Sequence, residues 1–195
     1  MMIKKIVSGC LESNGYIIFD KQGGEGFVID PGDNAHGFIR EIKDLGIKLK
    51  GILLTHHHYD HVGAVEDLRN EFSSPVALHG GDLNMYKGKV DLILEDGDQF
   101  PIGNEVLKVI HTPGHTRGGV CYYSEESKLA FTGDTIFNID LGRTDLADGS
   151  PQVMGETIRN IISKWEDDIV IYPGHGDSAS MDFVRKRNQE YLDYL

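Results

Sequence analysis

Residues 55–61, with the sequence THHHYDH, place four side chains able to bind a metal within six positions. In an extended chain, residues two apart point to the same side, so His56 and His58 can face one point while the residue between them faces away. If the chain then turns into a helix, Asp60 and His61 project toward a neighbouring point. The segment therefore predicts ligands for two metal ions, which lie roughly 3.5–4 Å apart in two-metal hydrolytic sites.

Three later segments repeat one pattern: an apolar strand, a tight turn and then a side chain able to bind a metal. They end in His115 (residues 111–116, HTPGHT), Asp134 (131–135, FTGDT) and His175 (172–176, YPGHG). Because loops at strand ends converge on one edge of a sheet, a single cleft could collect all of them. A lone Asp60 would be interpreted as a helix N-cap, but the four segments together favour a metal centre.

The elements that must position these residues are short strands followed by mixed strands and helices. Strands are predicted over 3–8, 15–20, 26–30, 50–55, 75–78, 99–102, 106–111, 119–124, 128–132 and 169–172. Helices are predicted over 34–45 (with Asp33 as its N-cap), 62–72, 151–165 and 180–194. Two sheets with helices outside them fit this order, and 195 residues suit one domain over 1–195.

Composition limits the possible partners and the compartment. The net charge is −12, from 31 acidic and 19 basic residues, which argues against nucleic acid and against an anionic membrane surface. A small-molecule substrate remains. Cys10 and Cys121 are too few for a disulfide framework, and the N-terminus shows neither a signal peptide nor a membrane span, so we expect a cytoplasmic protein.

The ligand pattern resembles the signature of the metallo-β-lactamase superfamily, His-x-His-x-Asp-His followed by His, Asp and His on separate loops. The resemblance covers nearly the whole chain and implies an α/β (α+β) fold, a four-layer αββα sandwich with the metal site at one edge of the two sheets. It assigns His56, His58 and His115 to one metal and Asp60, His61 and His175 to the other. Asp134 would bridge the two ions.

A narrower resemblance concerns the branch of the family. Residues 112–115, the sequence Gly142-Arg143-Thr144-Asp145 and residues 172–175 look like short bacterial glyoxalase II-like proteins, which are similar to hydroxyacylglutathione hydrolase. Full-length glyoxalase II carries a C-terminal helical domain that helps to hold glutathione. Only 20 residues follow His175 here, so we expect no such domain. The resemblance implies hydrolysis of a thioester of the S-lactoylglutathione type.

Nitrogen and carboxylate ligands suit two divalent ions, with zinc as the default and iron or manganese as alternatives. Water held between two such ions loses a proton near neutral pH, giving a hydroxide nucleophile. Asp60 and Asp134 are the predicted catalytic residues, since Asp60 can both bind metal and orient the hydroxide. Arg143 is the candidate contact for a substrate anion; the alternative is a structural pair with Asp145.

Three other functions remain open at this stage. An iron-dependent persulfide dioxygenase is similar in fold and shares the Gly-Arg-Thr-Asp loop. A β-lactamase or lactonase would use the same metal centre. A non-enzymatic metal-binding module is disfavoured, because structural zinc sites are usually closed by four protein ligands.

Overall fold

The computed structural model describes residues 1–195 and contains two six-stranded sheets. The first sheet is built from β1 (Met2–Ser8), β2 (Ser13–Phe19), β3 (Glu25–Ile29), β4 (Lys48–Leu53), β5 (Val76–His79) and β6 (Leu92–Leu94), in that spatial order. The second is built from β7 (Gln99–Ile102), β8 (Glu105–His111), β9 (Val120–Ser124), β10 (Leu129–Gly133), β11 (Val170–Pro173) and β12 (Ala179–Ser180), in sequence order across the sheet.

The helices lie on the outer faces of the two sheets. They are α1 (Ala35–Leu45), α2 (Tyr59–Val62), α3 (Val65–Phe72), α4 (Pro151–Asn160), α5 (Met181–Arg187) and α6 (Gln189–Asp193), with 3-10 turns at Gly80–Asp82 and Ile162–Lys164. None of the helices combines the length and apolar character needed to cross a bilayer.

Three apolar layers hold the sandwich together. One packs α1 and α3 against the first sheet, through residues such as Phe38 and Leu68. The middle layer lies between the sheets, where Ile18 meets side chains such as Phe131. The third packs α4 to α6 on the second sheet, through residues such as Ile158. This confirms the predicted αββα architecture.

Strand β2 illustrates why the sheets bury both faces. All seven of its residues are buried, and because alternate side chains of a strand point to opposite faces, Ile17 joins the outer layer while Ile18 joins the layer between the sheets. A strand covered on both sides shows a continuous apolar run instead of an alternating one.

The direction of the strands brings the loops that carry the predicted metal ligands to one edge of the sandwich. Strands β3, β4, β5 and β6 are parallel to one another, so the segments after Ile29, Leu53 and His79 leave the sheet on the same side. In the second sheet, β8 and β10 are both antiparallel to β9, and β11 is parallel to β10. The loops after β8, β10 and β11 therefore leave on one side as well.

The structure corrects several predicted boundaries. Asn34, not Asp33, caps α1, because its side chain accepts a hydrogen bond from Gly37 N at 2.9 Å. The helix predicted over 62–72 begins at Val65, and Val62 is instead the last residue of the short separate helix α2. The helix predicted over 151–165 ends at Asn160 and is followed by a 3-10 turn. Strands β6 and β12 were not predicted, because β6 has only three residues and β12 only two.

The final predicted helix, over 180–194, is broken at Asn188. This buried residue caps α6, where Oδ1 accepts a hydrogen bond from Tyr191 N at 2.9 Å. Its Nδ2 donates to the carbonyl oxygens of Phe137 and Asp140 at 3.1 and 2.8 Å. The break therefore fastens the C-terminal helices to the loop that follows β10.

Candidate metal centre

The structure brings all seven predicted ligands to one edge of the sandwich. Four groups of three side chains have ligand atoms within 4.8 Å of one another, and two of these groups consist only of predicted ligands. We call His56, His58 and His115 the first set, and Asp60, His61 and His175 the second set. The same residues are grouped as the sequence resemblance implies. Their metal-binding roles remain predictions that this geometry favours.

In the first set, unprotonated ring nitrogens converge. His115 donates its Nδ1–H to the carbonyl oxygen of Arg143 at 2.7 Å, so the neutral ring presents a lone pair at Nε2. That nitrogen lies 2.8 Å from Nδ1 of His58. The third ring, His56, is buried, and its Nε2 has no hydrogen-bond partner.

In the second set, a carboxylate faces two imidazoles. Asp60 Oδ2 lies 3.3 Å from His61 Nε2 and 3.2 Å from His175 Nε2. The two ring nitrogens are themselves 3.3 Å apart. His175 donates its outer Nδ1–H to the carbonyl oxygen of Leu11 at 3.1 Å, so its Nε2 is the nitrogen that faces the cluster.

Asp134 lies between the two sets. Its Oδ1 is 3.4 Å from His61 Nε2, and its Oδ2 is 3.5 Å from His115 Nε2 and 3.6 Å from His175 Nε2. Oδ1 is buried and has no hydrogen-bond partner. One carboxylate thus faces both triads, which is the position a bridging ligand requires.

These residues fit a pair of metal ions. Two nitrogens bound to one zinc ion at about 2.0 Å in tetrahedral geometry lie about 3.3 Å apart, close to the separations observed here. Buried polar atoms are normally hydrogen-bonded, yet His56 Nε2 and Asp134 Oδ1 point into the cluster without a partner. Bound cations would satisfy both atoms.

Burial keeps two rings of the first set, His56 and His58, neutral. It lowers the pKa of His56 well below its usual 6.5, and the neighbouring imidazoles of His61 and His115 add to the effect. Burial likewise lowers the pKa of His58 to about 4, again with His115 adding to it. Neutral imidazole is the form that binds metal, so these side chains are ready ligands at neutral pH.

The carboxylates give the second set the opposite character. Burial opposes a charge on His61, but Asp134 and Asp30 raise the pKa of that ring well above 6.5. Burial also opposes ionisation of Asp60, but hydrogen bonds from His175 and His61 lower its pKa. The second set therefore attracts positive charge, which a divalent ion supplies more effectively than a proton.

Comparison with known proteins agrees with this geometry. Residues 8–175 match the model of the metallo-beta-lactamase superfamily, a span that runs from the end of β1 to the last ligand histidine. The chain belongs to this superfamily. It is a metallohydrolase by that membership, and its cluster of histidines and aspartates is able to bind metal ions.

Two relatives match this chain over almost its whole length. An uncharacterised protein of Mycobacterium leprae is 32% identical over 213 residues, covering 96% of this chain and 97% of its own. The hydroxyacylglutathione hydrolase GloC of Haemophilus influenzae is 31% identical over 214 residues and covers 99% of each chain.

Solved structures give the same picture. The BLEG-1 B3 metallo-beta-lactamase superimposes with a TM-score of 0.87 at 31% identity, over 96% of this chain and 98% of its own. A protein crystallised in a di-iron-bound form superimposes with a TM-score of 0.84 at 29% identity, over 95% and 98%. The superfamily fold is thus shared with a protein named as a β-lactamase and with one crystallised with two iron ions.

Asp30, which the sequence analysis missed, supports both sets of this superfamily site. Its carboxylate is buried and accepts hydrogen bonds from Thr55 N at 2.7 Å and Thr55 Oγ1 at 2.5 Å. The same threonine hydroxyl lies 2.9 Å from His56 Nδ1, and Asp30 Oδ2 lies 3.3 Å from His61 Nδ1. Such contacts fix the ring orientation of metal ligands. The signal was present, since Asp30 follows an apolar strand just as Asp134 does.

The start of β2 holds the loop of the last ligand. Asn14 Nδ2 donates to the carbonyl oxygens of Pro173 and Gly176, both at 2.9 Å, and Tyr16 Oη donates to Pro173 O at 2.6 Å. Ser13 Oγ donates to the carbonyl oxygen of Asp60 at 2.7 Å. The sequence signal that could have identified Ser13 and Asn14 is a pair of polar residues at the start of an otherwise apolar strand.

The Gly142–Asp145 segment reaches the centre through its backbone. The Arg143 carbonyl oxygen accepts the hydrogen bond from His115, while its guanidinium binds Asp145 through Nε at 2.7 Å and Nη2 at 2.9 Å. Both side chains are exposed. The pair with Asp145 is the alternative that the sequence left open, and a role of Arg143 in binding substrate stays a prediction.

Proposed function

We propose that this protein is a binuclear metallohydrolase that cleaves a small-molecule thioester of the S-lactoylglutathione type, using two divalent ions, most suitably zinc. The observation that carries the proposal is the position of Asp134, whose carboxylate faces both ligand triads. A pair of ions held side by side serves hydrolysis of an acyl compound, whereas a structural site needs one closed set of four ligands.

Each residue has a distinct part in this reaction. When bound, the two ions lower the pKa of water and polarise a substrate carbonyl. Asp134 holds the two triads in one arrangement. Asp60, which its histidine neighbours keep ionised, accepts a hydrogen bond from the attacking water and directs its lone pair. His56 and His58, whose pKa values burial lowers, remain neutral donors of electron pairs.

The leaving group favours a thioester over an amide. A thiol has a pKa of roughly 8.5, so its thiolate departs without a proton from the protein. An amide nitrogen needs a general acid placed beside it. The named relative GloC, a hydroxyacylglutathione hydrolase, supports the same substrate class.

The test is hydrolysis by protein of known metal content. Purified protein is loaded with zinc, iron or manganese, its metal is counted, and release of free thiol from S-lactoylglutathione is followed. A panel of acyl thioesters on other carriers tests whether glutathione is the thiol. Chelation should abolish turnover and metal should restore it; failure of every metal-replete form on every thioester would overturn the proposal.

A second candidate is lactam hydrolysis, favoured by the similarity to BLEG-1 at 31% identity. A chromogenic cephalosporin measured on the same preparations separates the two. Thioester turnover at least about 100-fold above lactam turnover, roughly 2.7 kcal/mol of transition-state preference, would support the first proposal. The reverse ratio would support the second.

We also propose that the protein works in the cytoplasm. Its two cysteines, one exposed and one buried, form no disulfide, which suits a reducing compartment. Its negative charge, −12 overall, is concordant with a small-molecule substrate and not with nucleic acid. Fractionation of cells expressing the native protein tests the location.

A further inference from the structure

Each of the five predicted ligand histidines has one ring nitrogen facing the cluster and one facing away from it, which we call the outer nitrogen. Four of the five outer nitrogens have an oxygen nearby to orient them, and His58 is the exception. These pairs are His56 with Thr55 Oγ1, His61 with Asp30, His115 with Arg143 O and His175 with Leu11 O. The only hydrogen bond of His58 is formed through Nδ1, toward His115, and its Nε2 has no hydrogen-bond partner.

Asp148, like Asp134, has a buried carboxylate oxygen without a hydrogen-bond partner, but it belongs to neither ligand set. Its side chain is only 10% exposed, and its Oδ2 has no hydrogen-bond partner. A carboxylate oxygen of Asp148, one ring nitrogen of His58 and one of His57 lie within 4.8 Å of one another. A buried carboxylate without a donor is unfavourable, so this oxygen needs a partner.

His57 does not supply that partner. Its Nδ1 lies 3.0 Å from Oδ2 of Asp82 and 3.7 Å from Oδ2 of Asp148. Asp82 is fully buried and also accepts hydrogen bonds from His57 N at 3.1 Å, Thr116 Oγ1 at 3.0 Å and Gly118 N at 2.6 Å. This network holds the His57 ring against Asp82 and leaves Asp148 free to serve His58.

We propose that Asp148 is a positioning residue for His58. With Nδ1 of His58 on the first metal ion, the proton of the ring is at Nε2. The Asp148 carboxylate, which lies within 4.8 Å of a ring nitrogen of His58 but is not hydrogen-bonded to it here, accepts that proton's hydrogen bond after a short movement of its side chain. The inference rests on the proposed metal centre. The loop over 142–150 then orients two of the three ligands in the first set, since it also presents the Arg143 carbonyl oxygen to His115.

Carboxylate partners of this kind orient the ring and make it a stronger ligand, and their removal typically lowers metal affinity about 10–100-fold. The proposal therefore predicts an effect on one metal ion and not on the other. It also predicts no loss of stability in the protein without metal, because the Asp148 oxygen then has no partner to lose.

The experiment measures zinc affinity by competition with a chromophoric chelator, for wild type, Asp148→Ala, Asp148→Asn and Asp145→Ala. The last is a matched control, an exposed carboxylate on the same loop that binds Arg143 and no ligand. Repeating the series in a His175→Ala background, where only the first set keeps all its ligands, assigns the affected ion.

We expect Asp148→Ala to weaken the zinc ion of the first set about 10–100-fold. Asp148→Asn should lose less, because its amide oxygen still accepts a hydrogen bond, and Asp145→Ala should change affinity by less than about twofold. The Tm of metal-free Asp148→Ala should not fall below that of metal-free wild type. Wild-type affinity in Asp148→Ala, or an equal loss at both sets, would overturn the proposal, and so would a loss of Tm without metal. None of these readouts depends on thioester cleavage.

Discussion

A Cβ atom on Gly174 would lie 2.2 Å from Oδ1 of Asp134 and 2.7 Å from Cε1 of His61. The backbone of the loop that carries His175 thus packs directly against the carboxylate that we propose as the bridging ligand. No side chain fits there, because both neighbours are themselves held in place.

Gly174→Ala should therefore displace Asp134 and disrupt the metal pair. We expect bound metal to fall from two ions to one or fewer, and turnover to fall at least about 100-fold, since misplacement by about 1 Å costs this much. Gly176→Ala is the control: its φ of +74° brings strain, but its nearest neighbour would be 3.7 Å away. Equal metal content in the two variants would contradict the argument.

Asp134→Ala should leave two separate triads without a shared ligand. We expect metal content to drop to one ion or fewer and thioester turnover to fall at least about 100-fold, comparable to loss of a main transition-state contact. Asp140→Ala, an exposed carboxylate on the same loop, should keep both ions. Metal analysis and thiol release check this, and near-normal turnover in the first variant would show that Asp134 does not bridge.

Asp30→Asn should destabilise the fold as well as the site. The carboxylate accepts two hydrogen bonds from Thr55 in a buried position, and charged hydrogen bonds of this kind contribute about 1.5–3 kcal/mol each. Urea unfolding should show a loss in that range. The control is Asp20→Asn, because Asp20 accepts one backbone hydrogen bond in an exposed turn. This variant should lose less than about 1 kcal/mol of unfolding free energy, and equal losses in the two variants would refute a special role for Asp30.

Arg143→Gln tests the predicted anion contact. If the guanidinium binds a substrate carboxylate at this exposed position, KM for S-lactoylglutathione should rise about fivefold with kcat little changed, because exposed charge pairs contribute at most about 1 kcal/mol. An uncharged acyl thioester should show no rise. The same rise for both substrates would assign Arg143 a structural role through Asp145 instead.

Acid should destabilise the fold through His79, which lies outside the metal centre. Its ring stacks on His111 with centroids 4.1 Å apart; burial, with a contribution from His111, lowers the pKa of His79 below 6.5, against opposing contributions from Asp82, Asp96 and Glu95. The unfolded chain then binds more protons than the folded chain below pH 6.5, so stability falls as the pH drops through this window.

His79→Asn keeps an acceptor for Gly81 N and removes the titrating ring. Between pH 7.5 and 5.5, metal-free wild type should lose more Tm than metal-free His79→Asn. The two proteins share every metal ligand, so their difference isolates His79. Parallel losses in the two proteins would show that this ring does not contribute to the acid sensitivity.

The features that depend on the spacing of nearby residues could be predicted from the sequence. The segment 55–61 and the three strand–turn–ligand motifs predicted a metal centre, and the apolar runs predicted most strands, because both signals lie within a few consecutive residues. The errors in helix boundaries at Asp33 and Asn188 have a different origin. Asn34 caps α1 because its side chain accepts a hydrogen bond from Gly37 N. Asn188 breaks the last helix because its amide donates hydrogen bonds to the carbonyl oxygens of Phe137 and Asp140, about 50 residues away.

The sequence by itself determined which side chains could hold metal and roughly which strands carry them, since ligand chemistry and strand periodicity are local properties. Only the tertiary structure decided how those ligands are oriented. Asp82 and Asp148 have no distinguishing sequence pattern, and Asp30 has only the apolar strand before it, yet folding places each of them beside one of the histidines of residues 56–61. Whether a carboxylate positions a ligand or lies on the surface depends on neighbours distant in sequence, which the packing of two sheets brings together.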